Sequence, residues 1–329
     1  MNSKSEKAVI MMATYNGEEN LRAQLDSLLG QSYKNWELIV SDDSSSDNTL
    51  RILMEYQKKE PRIKKILSNK LYHGPFANYF NVMFYVKENL KDKYQYFFYC
   101  DQDDIWEANK LSLQISKLKT KRNTPAFCYC DLKICDRKCN DTGDRMSHHI
   151  RVPFVNNPFN EFFKEQYVWG TAMCHNKALW DLIKVEPTRI VKNRVAHDSY
   201  ISKYAAIYAD IMYIATPLVN YRRIGNNVTE TPRNYTLRQA LSKLTKEIPK
   251  MITNAAMTYW DSLYLLKNIL EPNDVSNDLY SCFSGNLIQK LKIIKKYNIM
   301  KNEKFFGKCS TFLIFYSGIY KKTSFFKNN

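Results

Sequence analysis

The chain has 329 residues, 44% hydrophobic and 14% aromatic, which describes one large or two modest packed domains and excludes a disordered protein. Nine glycines exclude collagen-like and glycine-linker architectures, and 49 Lys and Arg against 33 Asp and Glu leave a net charge of +16 that calls for an anionic partner. Eight cysteines, no signal peptide and no apolar run near the ~20 residues that cross a bilayer point to free thiols in a reducing cytoplasm and a soluble or peripheral protein.

Residues 8–13 (AVIMMA) read as a buried strand, with Thr14-Tyr15-Asn16-Gly17 as a turn. Leu21, Leu25, Leu28 and Leu29 recur at helical spacing over 18–29. Residues 36–40 (WELIV) form a second strand that runs into Ser41-Asp42-Asp43, with Asp47 placed to cap a helix over 49–59. Turn chemistry and a cap account for Asp42-Asp43 as well as a binding role does. A third strand at 63–67, a loop at 69–75 and a helix at 78–89 follow. Strand and helix alternate, which predicts a parallel α/β sheet with its ligand residues at the strand C-termini.

The next stretch organises the chain. Residues 96–100 (YFFYC) suit a fully buried strand, and it ends in Asp101-Gln102-Asp103-Asp104. Carboxylates this close repel one another unless a cation sits among them, and a hard divalent ion is the usual partner. The competing account, Asp103 or Asp104 capping a helix over 106–118, explains one carboxylate and not three.

ATYNGEENLRAQLDSLLGQSYKNWELIVSDDSSSDNT, followed by DQDDIW, resembles the nucleotide-sugar-binding half of inverting family 2 glycosyltransferases with the GT-A fold. The resemblance implies an α/β Rossmann-like mixed sheet flanked by helices. Tyr15 and Asp43 would then lie at the nucleobase, where a ring stacks and a carboxylate accepts the N3–H of uracil or thymine. Asp101 and Asp103 would lie at a Mn2+ or Mg2+ ion and the diphosphate, with Ala13, Asn78 and Gln102 also lining the nucleotide-sugar.

Residues 127–131 (FCYCD) read as another strand, with Asp131 at its end facing the acceptor. Cys128, Cys130, Cys135 and Cys139 miss the usual CxxC spacing of zinc sites, and alternation suits a strand face better. Residues 141–157 read as a polar, irregular insertion. Residues 168–173 (VWGTAM) resemble the family's acceptor-side strand. There Trp169 stacks on a sugar or packs in the core, beside Gly170. His197-Asp198, ahead of a helix over 199–208, resembles the general-base position, with Asp198 as the base and His197 orienting it.

Two short strands flank Pro217 and lead into YRRIGNN. Relatives commonly carry YRxHGxN, so Ile224 replaces a histidine and leaves Arg222 and Arg223 to compensate the diphosphate charge. The QxxRW motif of processive synthases is absent, which favours one sugar per event. Together, DQDDIW and YRRIGNN most resemble the bacterial rhamnosyltransferase branch, implying dTDP-L-rhamnose as donor, with UDP-hexoses second.

These features predict a GT-A domain over 1–231, with a donor half to about 120 and an acceptor half beyond it. A basic helical region over 232–329 is predicted to hold helices at 235–252, 253–270 and 284–297 and an aromatic, lysine-rich tail over 305–326. That region carries 16 Lys and Arg against 6 Asp and Glu, which suits an anionic membrane surface. The expected activity is metal-dependent, inverting transfer of one sugar to a saccharide acceptor on a lipid carrier, in bacterial capsule or cell-wall polysaccharide synthesis. The expected place is the inner face of the cell membrane, in a monomer or an oligomer. No nucleic-acid-binding module is readable. A non-catalytic GT-A-fold binder of anionic polymer or membrane is the alternative. A metal-dependent phosphoryl-transfer enzyme would want a Lys at a later strand end, which the sequence does not offer.

Overall fold

The computed structural model describes residues 6–90, 92–149, 158–163, 168–185, 195–223, 237–297 and 312–328. The chain divides into two compact units. Met1–Pro153 with Val168–Thr231 form the first, and Phe154–Tyr167 with Pro232–Asn329 form the second.

The first unit is built on a nine-stranded mixed sheet among the described residues. β1 (Ala8–Thr14) lies between β2 (Trp36–Asp42) and β4 (Tyr96–Cys100), parallel to both, and β3 (Ile63–Ser68) extends the parallel half beyond β2. Strands apolar on both faces must be covered on both sides. Helices α1 (Leu21–Leu29), α2 (Thr49–Lys59), α3 (Pro75–Asn89) and α4 (Lys110–Lys119) supply apolar faces that do this. Exposed Lys64 and Lys65 blunt β3 as an edge strand. The other half mixes directions. β8 (Met173–Asn176) runs antiparallel between β4 and β6 (Ala126–Cys135), and β9 (Asp210–Arg222) lies parallel to β6.

Several local expectations are corrected. Residues 105–106 leave the acidic cluster as a two-residue strand, β5 (Ile105–Trp106), antiparallel to β9, and the next helix starts only at Lys110. Asp103 and Asp104 therefore cap nothing; the N-cap position belongs to Asn109. Residues 141–145 are not irregular but form β7 (Asp141–Arg145) against β6, followed by a short helix, Met146–His149. Residues 150–157 of the expected insertion lie outside the described residues. The two strands expected around Pro217 are one. Pro217 sits opposite Asp131, where the β6–β9 register shifts, so its missing N–H falls at an irregularity in the ladder.

The second unit contains a 32-residue helix, Leu237–Asn268, which runs through Pro249 and merges two of the expected helices. Asp274–Ser284, which the sequence reading missed, starts at a reciprocal capping box between Asn273 and Ser276. Leu287–Lys296 follows, with a second box at Asn286 and Gln289. Phe163 stacks on Phe283 at 4.4 Å, and Tyr259, Phe315 and Tyr320 close around that pair. No helix among the described residues is long and apolar enough to cross a membrane. The tail before Phe312 and the motif positions from Ile224 to Asn227 lie outside the described residues.

One buried charge pins the end of the sheet opposite the acidic cluster. Glu37 on β2 accepts from Lys7 (3.0 Å) and Tyr94 (2.6 Å) and pairs with Lys93 (2.7 Å). Burial opposes its ionisation, but the hydrogen bonds from Lys93, Tyr94 and Lys7 outweigh it and hold the carboxyl below its ordinary range. A carboxyl with a depressed folded-state pKa stabilises above its unfolded value, and that contribution is lost as pH falls through the folded value. Glu37→Gln is expected to cost about 1–3 kcal/mol at pH 7. Denaturant melts should show the difference from wild type shrinking below about pH 4.5; a constant difference would contradict this account.

Candidate active site

The site forms where the parallel strands end together. Thr14 of β1 is in register with Asp42 of β2, and Met12 with Cys100 of β4, so the segments after all three strands leave the sheet at one edge. Side chains tie them to one another. Asp42 is buried and structural: Oδ1 accepts from the Thr14 hydroxyl (2.8 Å), and Ser45 donates through its backbone (2.9 Å) and hydroxyl (2.6 Å). Asp47 accepts from the Glu18 and Thr49 backbone N–H groups, so it holds the start of α2 from one position before the cap.

Gln102, expected at the nucleotide, is a clamp. Its Oε1 accepts from the Tyr15 N–H and its Nε2 donates to the Tyr15 carbonyl, both at 2.9 Å. A Cβ on Gly17 would lie 2.3 Å from that Oε1, so the clamp requires glycine there. With its backbone fixed, Tyr15 presents a ring that is 45% exposed. Asn78 Nδ2 donates to the Thr14 carbonyl (3.0 Å), while its buried Oδ1 has no partner. Ala13 is half-buried next to that carbonyl.

Asp43 is 5% exposed, and the loop after β3 meets it. Its Oδ1 accepts from Asn69 Nδ2 (2.7 Å), and its Oδ2 accepts from the Gly74 N–H (2.7 Å) and lies 2.9 Å from His73 Nδ1. The His73 ring also lies edge-on to Tyr15, with centroids 4.9 Å apart. Sequence reasoning treated 69–75 as a plain loop and missed Asn69, His73 and Gly74. The signal available was a His-Gly pair ahead of a helix-starting Pro75.

The acidic cluster sits beside this. Burial pushes the Asp101 carboxyl up, the Asp198 charge adds to the rise, and the Tyr79 hydroxyl and His197 oppose it. Tyr79 donates to Asp101 Oδ1 or to the Cys100 carbonyl, each at 2.7 Å. Asp103 is pushed up to about 6 by burial and by Asp101, and Asp104 goes well above the carboxylate range through burial and the charges of Asp103 and Asp101. The Arg222 guanidinium donates from Nε to the Asp103 carbonyl (2.8 Å) and from Nη1 to the Arg137 carbonyl (2.7 Å), and its charge pulls the Asp103 carboxyl down against the rise. Its backbone N–H serves Asp104 Oδ1. Arg222 therefore fixes the backbone of the cluster. Arg223 is half-buried and carries a buried Nη2 without a hydrogen-bond partner.

His197 and Asp198 arrive from the first turn of the helix His197–Tyr208, whose N-cap is Ala196, so Asp198 is not a cap. The His197 ring stacks on Tyr79 with centroids 3.6 Å apart and planes 18° from parallel. Both ring nitrogens are buried without hydrogen-bond partners among the described residues, and burial lowers its pKa to about 4 against the pull of Asp101. A Cβ on Gly170 would lie 2.4 Å from Nε2, which gives that glycine its reason. Residues 170–172 form a 3-10 turn rather than the expected strand, which starts at Met173. Trp169, half-exposed, precedes the turn. Asp131 lies apart from this cluster in its bonding: its carboxylate accepts from the Ser147 N–H and hydroxyl and from the Leu132 N–H.

Among the described residues, no group of three His, Cys, Asp or Glu side chains is arranged to hold a metal ion. Cys128, Cys130 and Cys135 are buried in β6, and the seven described cysteines are all free. The carboxyls of Asp101 and Asp103 still suit a divalent cation: burial raises both, the Asp198 charge adds to the rise of Asp101, and the Asp101 charge adds to that of Asp103.

The family model described as "Glycosyl transferase family 2" matches residues 9–182. The dTDP-rhamnosyl transferase RfbG of Shigella flexneri is 38% identical over 300 residues, 86% of this chain and 93% of RfbG. The Escherichia coli enzyme WfgD, named as a UDP-Glc:alpha-D-GlcNAc-diphosphoundecaprenol beta-1,3-glucosyltransferase, is 38% identical over 128 residues, 38% of this chain. The chain spans 45% of WfgD's length, under half of that relative. Among solved structures, S. aureus TarS 1–349 in complex with UDP-GlcNAc aligns over 92% of this chain and 78% of that one, with a TM-score of 0.52 at 14% identity. That likeness shows the fold, the GT-A architecture. By the family match and the RfbG alignment, the chain belongs to glycosyl transferase family 2 and is a glycosyltransferase.

Proposed function

We propose that this enzyme moves one sugar per event from a nucleoside-diphosphate donor to a saccharide on a lipid carrier, with inversion, in bacterial cell-surface polysaccharide synthesis. The observation that carries the reading is the meeting of distant parts of the chain at the end of β4, where Tyr79 donates to Asp101 at 2.7 Å and stacks on His197, the residue before Asp198. The extent of the RfbG alignment supports dTDP-L-rhamnose as the donor, with UDP-hexoses second. The acceptor in WfgD's name supports a lipid-diphosphate carrier.

Tyr15 and Asp43 hold the nucleobase, and Arg223, with its unpartnered guanidinium nitrogen, meets the diphosphate. Asp101 and Asp103 would hold Mn2+ or Mg2+, which when bound neutralises charge on the departing diphosphate. Asp198 takes the proton of the acceptor hydroxyl as its oxygen bonds to the anomeric carbon. The bond from that carbon to the diphosphate oxygen breaks, and its electron pair leaves with the phosphate. His197, neutral and wedged between Tyr79 and Gly170, fixes where Asp198 starts. Trp169 offers a ring face to the acceptor sugar, and Asp131 shapes the acceptor side through the short helix it anchors.

The second unit supports a place at the membrane. The helix Leu287–Lys296 buries Lys290 and Ile293 and leaves Leu287, Ile288 and Leu291 exposed at 55%, 64% and 48%. Exposed Lys292, Lys295 and Lys296 stand on the same helix. An apolar stripe bordered by lysines suits the inner face of an anionic cytoplasmic membrane.

Asp198→Asn is expected to lower kcat by about 10²–10⁴-fold in a sugar-transfer assay while nucleotide affinity stays within about twofold. Calorimetric titration with dTDP, UDP and GDP should show binding that needs Mn2+ and disappears in Asp103→Ala; failure of every nucleotide to bind would sink the donor-site reading. In flotation with phosphatidylglycerol-containing vesicles, Leu287→Ser/Ile288→Ser/Leu291→Ser should bind about tenfold more weakly than wild type. Equal binding by the two proteins would remove that face from consideration.

A further inference from the structure

We propose that His73 is a built-in stand-in for the nucleobase, occupying in the empty enzyme the place on Tyr15 and Asp43 that the donor's pyrimidine takes. This rests on the donor-site reading above. A base held by Tyr15 and Asp43 must do two things: pack against an exposed ring and give an N–H to a buried carboxylate. Among the described residues, His73 already does both. Its ring packs edge-on against that of Tyr15 with centroids 4.9 Å apart, and its Nδ1 lies 2.9 Å from Asp43 Oδ2. A carboxylate only accepts, so Nδ1 carries the hydrogen, and a planar ring with one inward N–H has the same pattern that uracil or thymine presents with N3–H.

The loop is built so that the imidazole can leave while the rest stays. Asn69 is held through its backbone N–H to the Asp42 carbonyl (2.8 Å) and through its side chain to Asp43 Oδ1 and the Tyr72 carbonyl. At the other end, the Gly74 N–H is bonded to Asp43 Oδ2 at a φ of 130°, a conformation that glycine alone adopts readily. His73 lies between these anchors with 66% of its side chain exposed. Rotation about its own side-chain bonds clears the site, with Asn69 and Gly74 still bonded to the carboxylate.

The arrangement bears on which base fits. Oδ2 already accepts two hydrogens, so an incoming N–H competes with His73 for that oxygen. One imidazole ring reaches from Tyr15 to Asp43, so a pyrimidine with an N–H on its pairing edge can make the same two contacts. The contact also gives the buried Asp43 carboxylate a third donor between turnovers, beside Asn69 and Gly74.

The test is calorimetric titration of the full chain with UDP and dTDP, in wild type, His73→Ala and Asp43→Asn. Removing an exposed competitor should tighten binding in His73→Ala by about three- to tenfold. Asp43→Asn should weaken binding by about tenfold or more. If wild type binds and His73→Ala binds equally or more weakly, His73 is a wall or a bystander and the inference falls. If wild type binds neither nucleotide, the donor-site reading itself fails and takes the inference with it.

Discussion

Three carboxyls at the end of a buried strand set the terms for everything around them. Asp101, Asp103 and Asp104 cannot all ionise where burial and mutual repulsion act together, and their raised pKa values state that conflict. The protein relieves it only in part. Tyr79 gives one hydrogen, Arg222 gives its fork to main-chain carbonyls, and the nearest imidazole is held neutral by its own burial. What remains is an excess of buried carboxyl groups whose repulsion an added positive charge would offset.

The same edge shows how precision is obtained from strand ends. Asp42, Gln102, Thr49 and the Asn78 amide nitrogen bond to the backbone or side chains of neighbouring segments. They hold Tyr15, Asp43 and the acidic run at fixed positions. Residues that look alike in sequence thus divide into those that build and those left to bind. Asp42 and Asp43 are adjacent, yet one is tied to Thr14 and Ser45 while the other faces the loop after β3.

The parallel half was legible because its strands are continuous apolar runs ending in polar clusters: β4 falls where 96–100 was predicted, and α2 at 49–59. The other half was not. Pro217 reads as a strand breaker unless one knows that the register slips opposite Asp131, and Trp106 reads as the start of a helix unless β9 is there to pair with it. In the candidate site, residue types drew attention to Asp43, Asp101 and Asp198, whose roles are proposals. Nothing local announced that Gln102 faces the Tyr15 backbone, that Arg222 meets carbonyls, or that Tyr79 lies under His197. Those assignments depend on which segments the sheet brings together, and periodicity carries no trace of that.

The fit of His197 against Gly170 also shapes how this enzyme can change over generations. The imidazole lies so close to the glycine that a methyl group would collide with it, and Tyr79 covers its face. Positions 170 and 197 therefore behave as one heritable unit. A larger residue at 170 becomes acceptable only after 197 has shrunk, and a lineage that shrinks 197 first passes through a form in which Asp198 has lost its neighbour. The order of substitutions, more than their number, decides which descendants of this site are reachable.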